Sequence, residues 1–169
     1  MADIHPFISG RDAMYKSILL AAALQQWERY SVHALAAREV AAALAPHAKQ
    51  LHVLSVYEND SARLPSSGLP AEMAAKLREQ LIQETDRLMT EKLSEYVAPL
   101  VSQGVPVSKI LRLGSPRHVI VEVASELEAD LLVIGSHSKR GLFDIALGDT
   151  ARHVSAHAPC MVLMVAPKK

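Results

Sequence analysis

One cysteine in 169 residues leaves no internal disulfide to staple the chain. Cys160 lies in the apolar run Ala158-Pro159-Cys160-Met161-Val162-Leu163-Met164-Val165 and reads as a small core hydrophobe, not a reactive thiol. Net charge is also lacking: 18 basic residues balance 18 acidic ones, so the whole molecule exerts no pull on nucleic acid or anionic lipid. No stretch approaches the roughly 18 apolar residues of a membrane span. Met1 to Met14 lacks the charged and then apolar regions of a signal peptide. The expectation is a cytoplasmic chain in a reducing compartment, with no nucleic-acid or membrane partner.

Half the residues are hydrophobic and 21% are charged, as in ordinary globular proteins. The length suits one domain able to bury about two-thirds of the surface it exposes when unfolded. Residues 1–14 show little periodicity and read as an N-terminal extension before a domain over 15–169.

From there, short apolar runs alternate with amphipathic stretches. Lys16–Leu24 is a continuous apolar run suited to a strand buried on both faces. Ser31 precedes an alanine-rich helical pattern to Leu44, ended before Pro46. Leu51–Tyr57 reads as a second strand, and Glu58–Pro70 as a Ser-, Pro- and Gly-rich loop. Ala71 to about Ser102 is a long helical pattern with Met73, Leu77, Leu81, Leu88, Val97 and Leu100 near one face, ended or kinked by Pro99. Val105–Leu113, interrupted by polar residues, suits a strand near an edge. Ser115 and Pro116 open a helix as cap and first residue. Leu131–Ile134 is the most apolar strand and stops at Gly135. Gly148-Asp149-Thr150 opens a short helix to about His157, with the Asp149 side chain as its cap, and Cys160–Val165 is the last strand. Strands alternating with helices predict an α/β fold with a parallel sheet, helices on both faces and right-handed crossovers.

In such sheets ligands bind beyond the carboxyl ends of the strands, where strand order reverses. The loop Gly135-Ser136-His137-Ser138-Lys139-Arg140-Gly141 places glycine, hydroxyls and two cations just past a buried strand. The free N–H groups of the helix that starts at Gly148 suit a phosphate. Composition alone favours a plain surface loop with a glycine-assisted turn and an aspartate-capped helix. His153 and His157, four apart, make half a metal site that no cysteine or carboxylate pattern completes, and with His118 they read as solvated surface residues. No facing nucleophile, base and acid can be read from Ser136 and His137.

The segment Ala129-Asp130-Leu131-Leu132-Val133-Ile134-Gly135-Ser136-His137-Ser138, with Gly141-Leu142, Leu147-Gly148 and His157-Ala158-Pro159-Cys160-Met161-Val162-Leu163, resembles the C-terminal signature of universal stress proteins. Gly114-Ser115-Pro116 and Val53-Leu54-Ser55-Val56 fit the same family, and the resemblance runs from Tyr15 to Val165. It implies a five-stranded parallel sheet in the order 3-2-1-4-5, of the adenine-nucleotide alpha-hydrolase-like, Rossmann-like class. It implies homodimers through the C-terminal strand Cys160–Val165, and a regulatory domain that binds ATP, with Mg²⁺ if bound, or another adenine nucleotide. The nucleotide-binding residues would be Ala22, Ala23, Val56, Ile134, Gly135, His137, Ser138, Lys139, Arg140, Gly148, Asp149 and Thr150.

Against the family's pattern of Gly, two residues, Gly, nine residues, Gly and a hydroxyl, the spacing survives at Gly135, Ser138 and Gly148. Ser138 stands for the second glycine, Asp149 for the hydroxyl residue, and Ala23 for the acid after the first strand. The insert Leu24–Tyr30, with Trp27, lengthens the first loop. An aspartate 4 Å from a phosphate repels it by about 4 kcal/mol per pair of unit charges at an effective dielectric of 20, unless Lys139, Arg140 or Mg²⁺ offsets it. Two readings follow: a nucleotide-binding regulatory domain, or a nucleotide-independent stress-response interaction module with a degenerate pocket. An enzyme, at most a weak nucleotide hydrolase, ranks behind both.

Overall fold

The computed structural model describes residues 13–24, 30–58, 70–102, 104–136, 139–140, 145–146 and 148–167, the two short pairs by their backbone only. Most of the predicted extension, Trp27, His137 and Ser138 lie outside the described residues.

Strand β1 (Tyr15–Ala21) is flanked by β2 (Ala48–Tyr57) and β4 (Leu131–Gly135); β3 (Val107–Leu113) and β7 (Met161–Val165) form the edges. All four pairings are parallel, in the order β3-β2-β1-β4-β7. With the main strands counted one to five, this is the order 3-2-1-4-5. Between β4 and β7 the segment expected as an irregular loop carries two two-residue strands, β5 (Lys139–Arg140) and β6 (Ile145–Ala146), paired antiparallel.

Central β1 is apolar at every position from Ile18 to Leu20 because each face is covered. Ile18 and Leu20 point to one layer, with Leu51, Val53, Leu131 and Val133. That layer is closed by α1 (Val32–Leu44) and the later turns of α2 (Ala71–Ser102). Leu19 and Ala21 point to the other layer with Leu54, Leu132 and Ile134, closed by α3 (Pro116–Glu126) and α4 (Asp149–His157).

Helix α1 starts as expected: Ser31 Oγ accepts from the Ala34 N–H at 3.1 Å. Helix α3 does not use Ser115 that way; its side chain makes no cap bond, and the Ser115 carbonyl accepts from His118 and Val119 instead. In α4 the cap is Gly148, not Asp149, which is the first helical residue and pairs with Arg152 at 3.0 Å. Pro99 lies inside α2 without ending it.

The expected apolar stripe of α2 is only half used. Val97 and Leu100 are buried, but Met73, Leu77, Leu81 and Leu88 are exposed. Geometry supplies the reason. Thirty-two helical residues extend about 48 Å, whereas the ten residues of β2 extend about 33 Å, so the helix outruns the sheet beneath it. Cys160 is half-buried against the α3/α4 layer, and burial, then the nearby Asp130, push its thiol pKa up, as befits a packing residue.

Candidate functional site

Between β1 and β4 the connections leave the sheet in opposite directions, and the carboxyl ends of these strands open into a cavity of about 680 Å³. Its floor is Ala21, Ala22, Ala23, Ile134 and Gly135; Leu54, Val56, Tyr57 and Glu58 of β2 and its exit form one wall. The starts of three helices complete it: His33 and Ala34 of α1, Pro116 and Ile120 of α3, and Gly148 with Asp149, Thr150 and Ala151 at α4. Backbone bonds extend the strands into the rim, Ala22 N–H to the Leu54 carbonyl and Ser136 N–H to the Val165 carbonyl, each 2.8 Å.

Two glycines frame the cavity for different reasons. A Cβ on Gly135 would stand 2.8 Å from the His33 carbonyl oxygen and 3.0 Å from its carbon, so glycine here lets the start of α1 close down on the end of β4. At Gly148 a Cβ would meet nothing within 4 Å, and φ is −57°, which any residue adopts. No neighbouring protein atom among the described residues requires glycine at 148; the space it leaves faces the cavity, at the first free N–H groups of α4.

Of the predicted binding residues, Ala22, Ala23, Val56, Ile134, Gly135, Gly148, Asp149 and Thr150 all line this cavity. Lys139 and Arg140 are seen only as backbone in the β5–β6 ladder. Sequence reasoning passed over His33, Tyr57, Glu58, Pro116 and Ile120. Tyr57 and Glu58 end β2, beside β1, so the carboxyl-end rule that pointed to Ala23 pointed to them too. His33 had no such signal, because its position depends on how α1 crosses β4.

The electrostatics of the described lining are acidic. Its ionisable residues are His33, Glu58, Asp149 and Tyr57, with no lysine or arginine among them. Asp149 keeps its carboxylate largely in solvent on the Arg152 side. The Tyr57 hydroxyl donates to Asp86 at 2.9 Å, and burial followed by that bond pushes its pKa up to about 12, so the phenol is neutral and fixed in place. Among the described residues no group of three His, Cys, Asp or Glu side chains is arranged to hold a metal. No helix of those residues is long and apolar enough to cross a membrane.

Comparison with known proteins agrees with this architecture. Universal stress protein MJ0531 of Methanocaldococcus jannaschii is 37% identical over 106 residues, 62% of this chain and 61% of the relative, so the match spans about three-fifths of that protein's length. An Arabidopsis thaliana universal stress protein family protein, solved with AMP bound, superposes with a TM-score of 0.59 at 20% identity, over 90% of this chain and 92% of that one. A universal stress protein solved in complex with cAMP gives a TM-score of 0.58 at 19% identity, over 91% of this chain and 98% of that one. At those identities the two structures speak for the fold. The model of the universal stress protein family matches residues 14–166, nearly the whole chain, and with the observed strand order it establishes that the chain belongs to that family.

Proposed function

We propose that this chain is a regulatory domain of the stress response that holds an adenine nucleotide in the cavity between β1 and β4 and pairs with a second copy through β7. The observation that carries the nucleotide reading is Gly148. It is a glycine that no described protein neighbour demands, at a helix start whose N–H groups meet a cavity large enough for a nucleotide. Two structural neighbours hold AMP and cAMP, ligands of the same class.

The base lies against Val56 and Ala22, and the phosphate side faces Gly148 and Thr150. Glu58 and Asp149 then set the preference among nucleotides. With two carboxylates on the described lining, the nucleotide with fewest charges is held best, and ATP needs a divalent cation to mask its phosphates. Pairing through β7 is supported by its edge, where Met161, Leu163 and Met164 are exposed on a strand that, among the described residues, is hydrogen-bonded on one side only.

Calorimetry on nucleotide-free protein tests the reading, with AMP, and with ATP in the presence and absence of Mg²⁺. Binding of AMP, Mg²⁺-dependent binding of ATP and loss of both in Gly148→Val are expected. Absence of binding by every one of these ligands would decide for the second reading, a nucleotide-independent interaction module. That reading is favoured by Ala23, which places no acid at the cavity floor, and by the Asp149 carboxylate at the α4 start.

A further inference from the structure

The structure gathers three histidines that the sequence separates. The rings of His118, on α3, and His153, on α4, meet edge to face with centroids 4.9 Å apart. His153 and His157 stack at 4.2 Å and 18°. Arg117 donates from Nε to His118 Nε2 at 3.1 Å, which requires a lone pair on that nitrogen and hence a neutral ring. His157 Nδ1 lies 2.8 Å from the His153 carbonyl, where only an N–H can bond, so the ring donates from Nδ1.

None of the three lines the cavity, but they sit on the contact between two of its walls. His118 stands between Pro116 and Ile120, and His153 two residues beyond Ala151, and all three of those neighbours are lining residues. Beneath the histidines, Ile120, Val123 and Ala124 of α3 pack with Ala151 and Val154 of α4.

We propose that this imidazole cluster makes the α3–α4 contact, and through it the cavity, responsive to acid: neutral rings stack and hold the helices together, and protonated rings repel one another and loosen the wall. The nucleotide reading supplies only the ligand whose affinity reports the change. The surrounding charges do not cancel the effect. On α3, Arg117 adds a positive charge and Glu122, one turn beyond His118, a negative one. On α4, Asp149 is one turn before His153 but already paired with Arg152. Strand β7, packed against α4, carries no ionisable side chain, and Cys160 just before it is held neutral. Strand β2, packed against α3, turns His52 toward the same layer, and that group is common to wild type and variant, so it drops out of their comparison.

The direction of titration agrees. Partial desolvation, then the charges of His157, His118 and Arg117, lower the pKa of His153. The folded state therefore binds fewer protons than the unfolded chain as pH falls below about 6.5, and stability is lost through that window.

Thermal unfolding of the full chain between pH 7.5 and 5.0, beside the double variant H118Q/H153Q, tests this. The wild-type midpoint is expected to fall with acid by about 3 °C more than the variant's; equal falls would overturn the proposal. Should the double variant not fold, an NMR titration of the wild-type imidazoles decides instead. His153 is expected to titrate clearly below the ordinary imidazole value of about 6.5, and titration at or above that value would refute the cluster's coupling. The link to the cavity is read from AMP affinity at pH 7.5 and 5.5, with wild type losing about fivefold more than the variant. Equal losses would sever that link. Failure of AMP to bind at every pH would count against the nucleotide reading, and the unfolding comparison would still decide this one.

Discussion

The two faces of the sheet are built differently. Among the described residues, nineteen buried residues form the layer under α1 and α2, including Tyr96, Met89 and Leu93, and eleven form the layer under α3 and α4, none of them aromatic. The first layer is locked by tyrosines: the Tyr96 hydroxyl donates to the Ala34 carbonyl at 2.6 Å, and the Tyr30 and Tyr96 rings meet at 5.3 Å. The second is closed by helices of eleven and nine residues and bears the histidines. Large rings on one face give a rigid platform. Short helices close the other, and the cavity opens where the two meet.

Adjacent residues of β1 test the contrast directly. Leu20 faces the larger layer and Leu19 the smaller, and both are fully buried. Leu20→Ala is expected to cost about 4 kcal/mol of unfolding free energy, because fixed rings and a long helix cannot collapse into the hole. Leu19→Ala is expected to cost about 2–3 kcal/mol, because two short helices can shift. Urea unfolding of both variants measures the difference; a larger loss at Leu19 would break the comparison.

The two glycines give the next largest effect. Gly135→Ala drives a methyl into the His33 carbonyl, backbone against backbone, and is expected to cost about 1–3 kcal/mol as α1 is pushed from β4. Gly148→Ala meets no described atom and changes only the quality of the cap, by about 0.5–1 kcal/mol. Gly148→Ala should also weaken AMP more than it weakens the fold, which calorimetry beside thermal unfolding separates.

These contrasts mark how far the sequence could be read. The parallel sheet was legible because a strand covered on both faces must be continuously apolar, as Ile18–Leu20 and Leu131–Ile134 are. The position of the cavity was legible because topology fixes where parallel strands open. The stripe on α2 misled because periodicity reports which residues share a helix face, not how far the partner surface extends. The His33 contact and the meeting of His118 with His153 were invisible for a related reason: each depends on the crossing of elements far apart in the chain. Asp149 was misassigned as a cap by one position, within the usual uncertainty of helix starts.

The faces should also differ at the two ends of the pH scale. His52, on the α3/α4 side of β2, has a buried Nδ1 without a described partner, and burial lowers its pKa. Its stabilising neutral form is lost as pH falls below about 6.5. Tyr57, on the other side, is pushed up to about 12, so stability there is lost as pH rises above the unfolded value near 10. Replacing His52 by Asn should flatten the acid limb of a stability–pH curve and leave the alkaline limb unchanged. Tyr57→Phe should do the reverse; a shared response would show that the two layers titrate as one unit.

The smallest expected effect concerns one hydroxyl on each face. Ser55 points into the larger layer and Ser17 toward the smaller, and neither Oγ has a described partner. A buried hydroxyl left without a bond carries a desolvation penalty that alanine removes, at the expense of a void of one oxygen atom. Ser55 is completely buried, whereas Ser17 keeps a slight exposure at the start of β1, where its backbone N–H is already held by the Asp130 carboxylate at 2.9 Å. Ser55→Ala should therefore raise stability by about 0.5–1 kcal/mol and Ser17→Ala by less. Clear destabilisation by Ser55→Ala would mean that the hydroxyl is bonded through an ordered water, and the larger layer would then be a solvated core, not a dry one.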